Sequence, residues 1–447
     1  MSPERSPEHI VIIGGGYVGM YTALRLQRKL RSELKRGEIV VTVIDPQSYM
    51  TYQPFLPEAA AGNLEPRHVV APLRKVLRRC RVRNGYVTGI DHGGKCLTYR
   101  PAGAKDGGPE LEMRYDRLVV ALGSISRLLP IPGLAECGIG FKTVEEAIYL
   151  RNHVLHQLDI AASNEDPDIR RKALTFVFVG GGFAGVEAIA ELEDMARDAC
   201  KWYPGITGDD MRWVMVEAAD RILPEVGPEM GQWTAEALRK RGIEVRMETM
   251  LKSAEHRRIV LSDGEEFEAG TLVWTAGVKA HPVVRQSDLP IDDKGRVKAT
   301  AELVVEGLDG VYTAGDNARV PDLSDTGEFT APNAQHAVRQ AKRLADNIVA
   351  DLRGRPRKPY VHSYVGSVAG LGLHKGVANV YGLKLRGVPA WFMHRTYHLS
   401  RMPTANRKMR VTADWTLALF FRREIVSLAE LERPREEFEL AGRDQAV

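Results

Sequence analysis

The chain has 447 residues, of which 44% are hydrophobic and 27% charged, with a net charge of +4 at pH 7. This balance is ordinary for a globular protein of roughly three domains and excludes a disordered, fibrous or disulfide-built chain. The start Met1-Ser2-Pro3-Glu4-Arg5 carries no apolar leader and the four cysteines are widely spaced without a CxxC pair, so a cytoplasmic protein with reduced thiols is expected.

His9-Ile10-Val11-Ile12-Ile13 reads as a buried strand that runs directly into Gly14-Gly15-Gly16-Tyr17-Val18-Gly19. A GxGxxG placed between a strand and a helix is a dinucleotide fingerprint. Its first glycine makes the tight turn, the second lets the backbone approach a pyrophosphate, and the third lets helix pack on strand. The helix N-terminus then offers N–H groups and a positive dipole end to the phosphates. The next strand, Ile39–Ile44, ends at Asp45-Pro46, 26 residues beyond Gly19. A carboxylate there accepts ribose hydroxyls, or merely caps the strand.

After the loop Tyr49–Glu58 the pattern predicts a helix through Val69-Val70-Ala71-Pro72-Leu73. Tyr86–Asp91 reads as a strand leading into a hairpin with its tip at Pro101–Pro109, and Tyr115–Ser124 as a buried strand turning at Gly123. Val144–Ala162 has helical periodicity and links the domains.

A second signature, Gly180-Gly181-Gly182-Phe183-Ala184-Gly185, follows the strand Phe176–Val179. Its acid is Glu217, 32 residues beyond Gly185, after a polar excursion at Cys200–Gly208 and the strand Trp213–Val216. Thr271–Val278, with Ala276-Gly277, echoes the ending at Gly123. Gly310–Asp316 returns the chain to the first domain, and Pro332–Ala341 opens a helix with proline near its first turn. Two such turns in one chain point to a flavoprotein that takes electrons from a nicotinamide cofactor. The expected architecture is α/β, with one Rossmann-like domain inserted in another. The expected boundaries are 1–143 and 287–383 for the first domain, 144–286 for the second, and 384–447 for a C-terminal region.

From Ala390 aromatic residues interleave with bases, including Trp391, Phe392, Arg407-Lys408, Trp415 and Phe420-Phe421. No stretch reaches the roughly 20 apolar residues that cross a bilayer. Short helices with aromatics on one side and basic flanks suit a membrane interface, an interdomain contact or a dimer contact. The histidines show no metal-like spacing, so no metal is expected. No basic stripe outside this region suggests nucleic acid. A disulfide-reductase reading lacks its paired cysteines, and a sulfide:quinone reductase reading lacks any cysteine after Cys200.

From Ile10 to about Leu428 the chain resembles the two-dinucleotide-binding-domain flavoproteins and, within them, the type II NADH dehydrogenases. The resemblance rests on both glycine turns, Gln53-Pro54-Phe55-Leu56-Pro57-Glu58, Val120-Ala121-Leu122-Gly123, Trp274-Thr275-Ala276-Gly277 and Ala314-Gly315-Asp316. It rests most on Ala334-Gln335 with Ala337, similar to the family's AQxAxQ motif. The second glutamine of that motif falls on Arg339, with Gln340 one place on. The resemblance implies transfer of hydride from NADH to non-covalent FAD, and then of electrons and protons to a membrane quinone (menaquinone or ubiquinone) without proton pumping. It implies an FAD site of Gly14–Gly19, Asp45, Pro46, Val87, Gly123, Gly315, Asp316, Ala334, Gln335 and Lys408. It implies an NADH site of Gly180, Gly182, Phe183, Ala184, Gly185, Glu217, Ala276 and Gly277. Glu187, on the first turn of the nucleotide helix, would carry protons to quinone or serve as a helix-dipole partner. Glu187 and Gln335 are the candidate catalytic residues. A homodimer at the cytoplasmic face of the cell membrane is implied. The alternatives are a soluble reductase of a ferredoxin-like protein and a NADH-sensing flavoprotein.

Overall fold

The computed structural model describes residues 6–104, 108–325, 327–363, 365–421 and 423–427. The chain divides into two compact units, each assembled from separated stretches. One takes the residues up to Thr51, Val70–Arg127 and Val278–Tyr364; the other takes Tyr52–Val69, Leu128–Gly277 and the chain from Val365. These divisions fall elsewhere than the expected boundaries at 143, 286 and 383.

The elements follow one another along the chain. The first leg contains β1 (Glu8–Ile13), α1 (Tyr17–Lys29), β2 (Ile39–Asp45), α2 (Leu56–Ala60), β3 (Arg81–Asp91), β4 (Cys96–Pro101), β5 (Leu111–Arg114) and β6 (Arg117–Val120). The middle leg contains β7 (Gly138–Gly140), α3 (Val144–Ser163), β8 (Thr175–Val179), α4 (Phe183–Ala199), β9 (Arg212–Val216), β10 (Ile243–Arg246) and β11 (Thr271–Trp274). The last leg contains β12 (Val311–Thr313), α5 (Ala334–Leu352), β13 (Gly366–Gly370), β14 (Gly376–Val380), β15 (Leu383–Arg386), α6 (Val388–Arg401) and α7 (Ala405–Phe420).

The first unit holds a sheet in the order β12-β6-β1-β2-β3-β4-β5. Its first five strands are parallel. Ile10 to Ile13 are wholly buried, as a central parallel strand covered on both faces requires. Each such side chain contributes about 1.5–3 kcal/mol of burial. The chain leaves β1 toward β2 on one side, while β6 and β12 lie on the other. The end of β1 is therefore a topological switch point, where open α/β sheets bind ligands.

Three sequence expectations fail in this unit. Val70–Pro72 pairs antiparallel with Tyr49–Thr51 instead of forming a helix, since branched valines followed by a proline suit an edge strand; a single helical turn begins only at Leu73. The hairpin after β3 turns at His92–Lys95 through Gly93-Gly94, and the glycine-rich stretch after Pro101 joins β4 to β5. Pro332 also lies outside its helix: Asn333 is the cap of α5, and its side chain accepts the His336 N–H at 2.9 Å.

The second unit repeats the plan with a parallel sheet β7-β11-β8-β9-β10. Gly138–Gly140 joins it because it pairs with β11. Phe176 stacks on Trp213 at 4.2 Å between ring centres, covering one face. A separate antiparallel sheet, β13-β14-β15, carries α6 against it through Val368, Ala378 and Ala390.

Candidate functional site

In the first unit a Cβ at Gly14 would collide with the Ala121 carbonyl, and one at Gly19 with the Gly14 carbonyl. At Gly16 the space is open, and no side chain caps the first turn of α1. The turn is thus packed from behind and clear in front, which fits a pyrophosphate on the helix N-terminus, with Tyr17, Val18 and Gly19 forming its first turn. Asp45 closes the loop from the next strand. Its carboxylate accepts the Gly15 N–H at 2.6 Å and the Gln47 N–H at 2.7 Å, with Pro46 between. Burial raises its pKa above the usual value, and those two amides pull the other way.

Gly315 brings a second helix N-terminus to the same place. A Cβ there would press on the Val18 side chain of α1 at 2.7 Å and meet Ala337 of α5 at 3.7 Å. Beside it, Asp316 accepts the Ser124 hydroxyl at 2.6 Å, and Gly123 donates its N–H to Asn317 at 3.1 Å. Ala334 and Gln335 occupy the first turn of α5. Val87 lies where β3 shifts register. All the expected FAD residues but Lys408 belong to one unit.

In the second unit the arrangement recurs. Gly180 and Gly185 are jammed against backbone and Thr275, whereas Gly182 is open and α4 has no side-chain cap. Phe183, Ala184 and Gly185 form its first turn. Glu217 accepts the Gly181 N–H at 2.5 Å and the Ala219 N–H at 2.7 Å. Gly277, beyond Ala276, has φ +92° and open space at its Cβ. The two strand-tip acids do the same mechanical job, each tying its turn by the second glycine.

Glu187 is the fifth residue of α4, so it begins the second turn and does not face its own helix end. It is 7% exposed; Oε1 accepts the Gly370 N–H at 2.8 Å and lies 3.1 Å from Nε2 of His394. One turn on, Glu191 accepts the Asn63 amide at 3.0 Å, and its pKa is pushed up to about 7 by burial and by the Glu58 charge. Glu58 on α2 accepts from Arg395 at 2.7 Å and from the Trp415 indole at 2.8 Å. Trp391 and Trp415 flank the Arg395 guanidinium at 4.2 and 4.8 Å, so these two rings are inward anchors and not a lipid-facing pair. Phe392, Met409, Leu417, Leu419, Phe420 and Phe421 are exposed. Lys408 donates to the Ser400 carbonyl at 2.7 Å, which fastens the corner between α6 and α7.

Residues 8–341 match the pyridine nucleotide-disulphide oxidoreductase family. A type II NADH:quinone oxidoreductase of Mycobacterium tuberculosis is 29% identical over 445 residues, covering 95% of this chain and 92% of the relative. One from Staphylococcus haemolyticus is 30% identical over 393 residues, covering 86% and 93%. The chain belongs to the pyridine nucleotide-disulphide oxidoreductases and, among them, to the type II NADH:quinone oxidoreductases. Its fold is also that of NDH2 from Plasmodium falciparum, solved in complex with NADH, at a TM-score of 0.85 and 18% identity over 94% of this chain and 100% of that one.

Within this type II sequence the departure at Arg339 has a structural counterpart. Gln340 is fully buried; its Oε1 accepts the Gly315 N–H at 2.7 Å and its Nε2 donates to Thr330 at 3.0 Å. Arg339 instead donates to the Ser363 carbonyl and lies 3.1 Å from His362. Among the described residues no group of His, Cys, Asp or Glu is placed to hold a metal. Sequence reasoning passed over Glu58, Glu191, His394 and Arg395. One signal was available: Glu187 and Glu191 are four apart on a helix whose neighbouring positions are apolar, so both acids face the same buried side.

Proposed function

We propose that the chain transfers two electrons from NADH to a membrane quinone, menaquinone or ubiquinone, by way of a non-covalently held FAD and without pumping protons. The observation that carries this reading is the duplicated site: two glycine turns, each open in front and tied by a strand-tip acid, in a chain of the type II family. Gly14–Gly19, Asp45, Pro46, Val87, Gly123, Gly315, Asp316, Ala334 and Gln335 would hold FAD. Gly180, Gly182–Gly185, Glu217, Ala276 and Gly277 would hold NADH. When bound, the flavin supplies the two-electron relay between nicotinamide and quinone.

The residues do the rest. The first turn of α5, with Gln335, would favour negative charge on a bound flavin through its dipole and N–H groups. Glu217 selects against a 2′-phosphate by charge. Glu187 gives a proton to quinone, whose reduction to quinol consumes two. Among the described residues no helix is long and apolar enough to cross a membrane. The exposed aromatic and aliphatic side chains of α6 and α7, beside Arg407 and Arg410, suit insertion into the cytoplasmic face of the cell membrane. The same region would join two copies of the chain. The direct test is NADH oxidation by the purified protein with and without a short-chain quinone. Quinone-dependent turnover is expected, and its absence would overturn the reading.

A further inference from the structure

Glu187 and His394 reach each other from different elements, α4 and α6, and are 7% and 3% exposed. The Gly370 N–H fixes Glu187 Oε1 from β13, and that oxygen lies 3.1 Å from His394 Nε2, an ion-pair distance without the alignment of a hydrogen bond. Beyond His394 the line continues. The ring of His398, one turn along α6, meets it edge-on with centres 4.6 Å apart, and His398 Nδ1 lies 3.2 Å from the Tyr52 hydroxyl.

Charged groups surround this line from every packed element. Glu191 comes from α4, Glu58 from α2 and Arg395 from α6. The turn between β13 and β14 brings His374 against Trp391 and Lys375 onto Asp194. Three buried carboxyl groups, Glu58, Glu187 and Glu191, thus stand near the buried guanidinium of Arg395, and that of Arg423, paired with Asp194, acts on Glu191 as well.

We propose that His394 is the proton-holding and positioning partner of Glu187, and that His398 and Tyr52 return a proton to the pair after each quinone is reduced. The proposal rests on the reading of Glu187 as the donor to quinone. The N–H bond at His394 Nε2 breaks as an O–H bond forms on Glu187. That O–H bond breaks in turn as one forms on a quinone oxygen, and the two electrons, with the quinol's other hydrogen, are those of the hydride that NADH gives up as it becomes NAD⁺. The neutral imidazole regains its proton from solvent through the Tyr52 hydroxyl and His398. Burial opposes charge on His394, but Glu187, with Glu58 and Glu191, outweighs it and raises the pKa. Burial and coulombic repulsion from His394 hold His398 well below its ordinary value.

Ring-¹⁵N-labelled histidine in the FAD-loaded protein tests the pairing directly by NMR. His394 should stay doubly protonated past pH 6.5 in the wild type, and Glu187→Gln should lower its midpoint by at least one unit. An unmoved midpoint would overturn the pairing. Stopped-flow then tests the relay. His394→Gln and His398→Phe should each slow the quinone half-reaction relative to the NADH half-reaction by about 10²-fold, at the low end for a lost acid–base group. Both should also alter its pH profile. If Glu187→Gln slows the quinone half-reaction and both histidine variants keep the wild-type profile, the inference fails and Glu187 stands alone. If Glu187→Gln leaves that half-reaction unslowed, the reading of Glu187 as donor fails as well. Should His394→Gln not fold, the His398→Phe profile and the NMR midpoint decide.

Discussion

Arg395 Nη2 lies 2.7 Å from Glu58 Oε2 with the two side chains 9% and 4% exposed, so α6 is locked to α2 by an ion pair shut away from water. Removing one partner of such a pair strands the other, at a cost of about 3–5 kcal/mol. Glu58→Gln should therefore lower the Tm and open α6 and α7 to proteolysis. Glu58→Gln with Arg395→Met should recover much of the loss. A double variant as unstable as the single one would show that the helices are held elsewhere.

Stability should also depend on pH through the same cluster. The carboxyl of Glu191, raised from 4.5 to about 7, holds a proton in the folded chain that the unfolded chain releases near pH 4.5. Its contribution is complete below that pH and is lost as pH rises through about 7. His394, also raised, acts in the same direction. The Tm should fall between pH 5 and 7.5, and Glu191→Gln should flatten that fall. Parallel curves for the two proteins would assign the dependence to other groups.

Glu217 should set the nucleotide preference. A carboxylate facing a 2′-phosphate costs about 1–4 kcal/mol at 4 Å, between bulk-water screening and the near-surface regime. Wild-type kcat/KM should favour NADH by at least tenfold, and Glu217→Gln should narrow the ratio while keeping an acceptor for the turn. Equal wild-type values for NADH and NADPH would refute the assignment.

The surface of α6 and α7 offers a cleaner membrane test than the aromatic content alone suggests. Changing Phe392, Phe420 and Phe421 together to Ser leaves the Trp391–Arg395–Trp415 stack intact. Sedimentation with anionic liposomes should drop severalfold, while α-helical content and bound flavin stay as in the wild type. Undiminished liposome binding would remove these rings from the membrane contact.

Gly19→Ala probes the flavin site without touching charge. The added methyl would strike the Gly14 carbonyl, so the turn must open. The wild type should purify yellow and release its flavin on acid precipitation, and the variant should purify with little flavin. A fully loaded variant would place the pyrophosphate elsewhere.

Much of this was readable from sequence because it depends on local chemistry. Gly14, Gly19, Gly180 and Gly185 stand where only hydrogen fits, and Ile10–Ile13 and Phe176–Val179 are unbroken apolar runs of buried parallel strands. The misjudged Val69–Leu73 segment was settled by its partner Tyr49–Thr51, a pairing that helical or strand period alone does not reveal. The Glu58–Arg395 and Glu187–His394 contacts join residues more than 200 positions apart. Nothing near either residue announces its partner. Arg339 and Gln340 show a middle case: the motif flagged the position, but only the fold shows that Gln340 supports Gly315.

The interleaved order of the two units bears on how the protein is made. Strand β12 (Val311–Thr313) must pair with β6 (Arg117–Val120), and α6 must reach back to α2, so both units close around very long loops. Loop closure of that length slows folding more than it weakens the product. A ribosome that has finished the first glycine turn has therefore not yet made the whole of the proposed flavin site, because Gly315 and Gln335 emerge some 300 residues later. Flavin capture becomes a late, nearly post-translational event. Nascent chains that stall before α5 should emerge colourless and dependent on chaperones, however well their first Rossmann half is formed.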